Sequence, residues 1–184
     1  MTMESRIRPE WERIYLKPAE VHISNGGPQA VTTVLGSCVS LCFHAPRAGL
    51  GGITHGMLPR QAGAKDGDDW GRFVDSSITW MVRAFEKRGL ARSQLEVKLF
   101  GGAQMHGVAG SRSATSVGRQ NVESALKTIK DLGLHLLVSE VGGTWGRKLV
   151  FFPHVGEVWI KKISRSSLYH GVANGQETHT RHDR

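Results

Sequence analysis

Cysteine is scarce in this chain: Cys38 and Cys42 are the only two among 184 residues. Two are too few for a disulfide scaffold, and four residues of extended strand would hold them roughly 13 Å apart at about 3.3 Å per residue, beyond disulfide reach. Both are expected as free thiols in a reducing compartment, open to the roles of core residue, metal ligand or nucleophile. Long apolar runs are also missing. Hydrophobic residues (39%) and charged residues (22%) are interleaved, which excludes a disordered chain and leaves no segment suited to membrane insertion. The opening MTMESRIRPEWERIYL scatters charges where a secretory signal carries an apolar stretch, so the cytoplasm is the expected compartment. Dense basic blocks are absent as well. A formal charge of +8 attracts polyanions. Lys and Arg are nevertheless dispersed and no RNA-binding or helix-turn-helix signature accompanies them, so no specific nucleic-acid partner is expected and the basic surface suits an acidic protein.

What is present is the material of one domain. From Glu12 to Leu58, short apolar segments (Ile14 to Leu16, Val21 to Ser24, Val31 to Val34, Val39 to Phe43, Ile53 to Leu58) alternate with Pro and Gly turns and predict strands. Phe73, Val74, Ile78, Met81, Val82 and Phe85 recur at helical spacing within Gly71 to Arg88, and Gly89 supplies a stop. A buried strand over Leu95 to Phe100 precedes a glycine-rich loop, Gly101 to Gly110. A second helix spans Val117 to Leu132, ended by Gly133. Leu134 to Val141, Lys148 to Phe152 and Glu157 to Ile163 read as three more strands. Beyond Ser164 little is left to bury, so residues 1–163 are expected to form the domain and 164–184 a flexible tail. The fold class is α/β: a single domain of mixed β-sheets flanked by helices. A doubly wound parallel sheet is disfavoured because the first five strands have no helices to make crossovers. No large exposed apolar patch is evident, so a monomer is expected.

The segment VTTVLGSCVSLCFHAPRAGLGGITHGMLP carries the chemistry. Cys38 follows a strand and a Gly-Ser turn, where a thiol can be exposed, whereas Cys42 lies deeper and reads as a small core residue. His55 stands in the next apolar strand. Antiparallel neighbours can bring thiol and imidazole into hydrogen-bonding reach, and a thiol with an ordinary pKa near 8.5 needs such a base. Spacing alone makes Cys38 and His55 only a candidate dyad. His44, His106, His135 and His154 read as structural or surface residues, and His170, His179 and His182 fall in the tail. A zinc set of Cys38, Cys42, His44 and His55 is set aside on the cysteine spacing and on opposed strand faces for Cys42 and His44. FGGAQMHGVAG lacks both the P-loop ending and the dinucleotide-binding spacing. Neither a metal nor a cofactor is expected.

LGSCVSLCFHAP, GGITHGMLP, KLFGGAQM, VGRQNV and VGGTWGRKLVFFPHVGEVWIKKI together resemble the successive signature blocks of the CheD family, in unbroken order from Ile14 to Ile163. The resemblance implies a cysteine-dependent amidohydrolase that converts glutamine side chains of methyl-accepting chemotaxis receptors to glutamate. It also implies a fold similar to the catalytic domain of the cytotoxic necrotizing factors, and a CheC-type phosphatase as a possible partner. The family's catalytic cysteine, histidine and threonine map by motif onto Cys38, His55 and Thr32; read alone, Thr32 is equally an ordinary β-branched strand residue. Thr54 and Gly56, which flank His55, depart from the bulkier residues frequent in the family. A non-catalytic adaptor that binds receptors or the phosphatase is the alternative reading.

Overall fold

The computed structural model describes residues 6–60, 69–104, 116–164 and 179–182. Strand alternation fixes its layers. In β3 (Gln29–Leu35) the side chains of Val31 and Leu35 enter a core shared with Cys42 of β4 (Val39–Ala45), Ile53 of β5 (Leu50–Thr54) and Phe100 of β6 (Glu96–Gly101). The other face of β4 presents Val39, Leu41 and Phe43 to a second core. That core is covered by α1 (Val74–Glu86) and α2 (Val117–Asp131), whose apolar residues fall on one face each. Sheets therefore pack face to face, and both helices lie on the outer side of one of them.

Each sheet has five strands. The first runs β1 (Glu12–Tyr15), β3, β8 (Gly146–Phe152), β9 (Glu157–Ile163), β10 (His179–His182), with only the β1–β3 pair parallel. The second runs β2 (Val21–Ile23), β5, β4, β6, β7 (His135–Val141), with only β6–β7 parallel. The expected single α/β domain with mixed sheets flanked by helices is what forms. Burial supplies most of its stability: Phe43, Phe85, Phe100, Phe151 and Phe152 are all fully buried, each worth about 1.5–3 kcal/mol relative to exposure.

Beyond Ser164, the described residues His179–His182 pair antiparallel with β9 as an edge strand. One expectation needs correction. Cys42 and His44 do not face opposite ways, since residues two apart on a strand share a face, and both are buried. The zinc set gains nothing from this: among the described residues no cluster of three or more His, Cys, Asp or Glu could hold a metal. No helix of the described residues is long and apolar enough to cross a membrane.

Candidate active site

Cys38 and His55 come together because β4 and β5 are antiparallel neighbours. Their register pairs Cys42 with Ile53, and beyond the named strands Val39 and Gly56 exchange both backbone hydrogen bonds, Val39 N to Gly56 O at 3.0 Å and Gly56 N to Val39 O at 2.9 Å. Carried along that register, Ser40 lies opposite His55 and Cys38 is its diagonal neighbour on the same face, roughly 7–8 Å away between backbones and within reach of side chains. Gly56 allows α1 to sit directly over this segment: a Cβ there would stand 2.7 Å from Val74 Cγ2. The departure noted at Gly56 thus has a packing cause.

His55 is 1% exposed and its ring reaches across to the opposite sheet. There the hydroxyl of Thr33, not Thr32, lies 2.8 Å from Nδ1. Alternation decides which threonine this is. Thr33 shares the inward face of β3 with Val31 and Leu35, whereas Thr32 pairs with Val150, a residue of the small cluster on the outer face of that sheet. Thr32 is therefore corrected as the orienting hydroxyl. Inward alternation of Val31, Thr33 and Leu35 was the sequence signal for this; the motif correspondence with the family pointed one residue away.

The hydrogen bonds also fix the tautomer. Thr33 Oγ1 donates its single proton to the Leu16 carbonyl at 2.8 Å, so it can only accept from the ring, and Nδ1 carries the hydrogen. Nε2 is left with its lone pair, buried and without a hydrogen-bond partner among the described residues, as is Ser40 Oγ. Burial pushes the imidazole down to about 4, against the Leu16 carbonyl and Glu20 carboxylate, which both favour a proton on the ring. Burial likewise pushes the Cys38 thiol up, opposed by its own backbone N–H. At rest the pair is thiol and neutral imidazole, and Nε2 is a base awaiting a proton. No hydrogen bond yet joins Cys38 to Nε2; such bonds tighten when substrate arrives.

The nucleophile turn is tethered through consecutive carbonyls. Gly36 O accepts from Ala103 N at 2.8 Å and Cys38 O from Gly102 N at 2.8 Å. Between them Ser37 O accepts from Asn121 Nδ2 at 2.9 Å. Gly101, at φ 108°, makes this approach possible, since a Cβ would stand 2.3 Å from Cys38 O. Asn121 was missed as a functional residue by sequence reasoning, although it lies within the VGRQNV block. Among the other histidines, His44 is buried near Glu96, His154 packs edge-on to Trp11, and His135 is exposed. His106 and His170 lie outside the described residues. Cys42 is fully buried, and burial drives its thiol far above the ordinary range.

Known proteins resemble this chain along most of its length. "Probable chemoreceptor glutamine deamidase CheD 2" of Geobacter sulfurreducens is 44% identical over 160 residues, 86% of this chain and 94% of the relative. Its counterpart in Maridesulfovibrio salexigens is 35% identical over 83% of this chain and 93% of its own; that of Nitratidesulfovibrio vulgaris is 41% identical over 76% and 72%. The solved structure of YlmD from Geobacillus stearothermophilus matches with a TM-score of 0.38 and 18% identity over 62% of this chain and 47% of its own, too loose to argue from. The family model described as CheD chemotactic sensory transduction matches residues 57–162, and with relatives at this identity along most of its length the chain belongs to the CheD family.

Proposed function

We propose that the protein is a cysteine-dependent glutamine deamidase acting on chemoreceptors, as the names of its relatives suggest for them. The observation that carries the reading is the fixed tautomer of His55: Thr33 holds Nδ1–H, so Nε2 presents a base on the face shared with Cys38.

In this mechanism Nε2 takes the thiol proton as Sγ attacks the carboxamide carbon of a receptor glutamine. The tetrahedral oxyanion is met by backbone N–H groups of the Ser37–Cys38 turn. His55 returns the proton to the departing nitrogen, which leaves as ammonia, and a thioester remains on Cys38. Nε2 then deprotonates a water that attacks the thioester; the C–S bond breaks, Sγ recovers the proton from Nε2, and glutamate is released. His55, Cys38 and Thr33 supply what each step requires, with no step that calls for a metal or cofactor. A reducing compartment keeps such a thiol free, and the cytoplasm, where the receptors' signalling parts lie, suits the activity. A CheC-type partner and a monomeric state rest on the family resemblance and on composition, and enter no step.

The test is mass spectrometry of a chemoreceptor cytoplasmic fragment incubated with wild type or Cys38→Ala, scored peptide by peptide. Conversion of glutamine to glutamate at defined positions, lost in the variant, is the expected result. Conversion retained by Cys38→Ala overturns the assignment.

A further inference from the structure

Asn121 occupies the junction between helix and active site. It is 0% exposed, and its Nδ2 donates 2.9 Å bonds to two carbonyls at once, Ser37 O and Met57 O. Both neighbours are acceptors, so the amide cannot be turned the other way; Oδ1 is left buried without a partner among the described residues. Ser37 immediately precedes Cys38, and Met57 is the residue that would pair with Cys38 if the β4–β5 register continued past the Val39–Gly56 bridge. Asn121 therefore ties the two strands together just past their last hydrogen-bonded pair.

A trans peptide is planar, with its C=O and N–H pointing opposite ways. Holding the Ser37 carbonyl towards α2 forces the Cys38 N–H away from the helix. Among the described residues that N–H donates to no backbone carbonyl. We propose that Asn121 is a positioning residue that locks the Ser37–Cys38 peptide plane and so aims the Cys38 N–H at the oxyanion formed during deamidation. The inference rests on the assignment of Cys38 as nucleophile and adds to it the group that orients an oxyanion donor. Gly102 and Ala103 hold the neighbouring carbonyls, yet neither touches the peptide between them.

Two reactions of the same sulfur separate this role from a merely structural one. Deamidation passes through an oxyanion, whereas alkylation of Cys38 by iodoacetamide is a displacement at saturated carbon and needs no such donor. Asn121→Ala is expected to lower kcat for a receptor fragment about 100-fold with KM unchanged, the size of effect seen when an oxyanion donor is lost, while alkylation of Cys38 slows far less. Ser124→Ala is the docking control. It removes a bond from the same helix to the Pro59 carbonyl, and it should leave both reactions at wild-type rates. Asn121→Leu, similar in size and branching but lacking the donors, serves if the alanine variant does not fold. Equal slowing of both reactions, or unchanged kcat in folded variant, overturns the proposal. If Cys38→Ala still deamidates, the failure lies with the nucleophile assignment; Asn121 is then uninvolved in catalysis only if its variants also keep wild-type kcat.

Discussion

Protonation of His55 couples the active site to the stability of the whole fold. Its imidazole lies in the inter-sheet core, and burial lowers its pKa from the ordinary 6.5 to about 4. The unfolded chain therefore binds the proton first as acidity increases, so falling pH favours unfolding. The sign follows from linkage: no cost arises above pH 6.5, the cost builds as pH falls from 6.5 to about 4, and it is complete below that. At about 1.4 kcal/mol per pH unit the whole window corresponds to about 3 kcal/mol, a large part of the 5–15 kcal/mol that holds a typical domain together. The assay is urea unfolding followed by tryptophan fluorescence at a series of pH values, for wild type and His55→Gln, which keeps a donor for Thr33 but does not titrate. Wild-type stability should fall about 3 kcal/mol further than that of the variant between pH 7.5 and pH 4. His154, whose pKa burial also lowers, is common to both proteins and cancels. Parallel curves would refute the buried neutral imidazole, and with it the resting state from which the mechanism starts.

Thr33→Val should cost about 1–3 kcal/mol and lower kcat, because Leu16 O and His55 Nδ1 both lose their partner. Thr32→Val should stay within about 0.5 kcal/mol and leave kcat unchanged; thermal melting and deamidation rates of the two variants check this, and a loss confined to Thr32→Val refutes the orientation argument. Brief treatment of the native protein with iodoacetamide should modify Cys38 alone, with Cys42 labelled only after denaturation. Peptide mapping that finds Cys42 labelled in the native state would show that the inter-sheet core opens.

Much of the fold was legible because local signals agree with the global packing. Val39, Leu41 and Phe43 alternate with Ser40 and Cys42, Phe73 to Phe85 keeps helical spacing, and Gly89 and Gly133, at φ 79° and 63°, stop the two helices where expected. That Cys38 and His55 share one face of neighbouring strands was legible for the same reason. Three features were not. β10 has little apolar content and is held by backbone pairing to β9, which no side-chain pattern announces. Thr33 meets His55 from the other sheet, a contact set by tertiary packing, and motif spacing could not choose between two adjacent threonines. Asn121 reads as an ordinary polar residue of an amphipathic helix; only the carbonyls left over at the end of a broken ladder reveal what its amide is for.

The bond from His55 to Thr33 crosses from one sheet to the other. In β3, Thr33 pairs with Leu149 of β8, which is made late in synthesis. A nascent chain released before β8 would hold the thiol and imidazole but not the sheet that orients them. Orientation of the imidazole thus waits on a strand that the ribosome delivers late, a consequence of strand order.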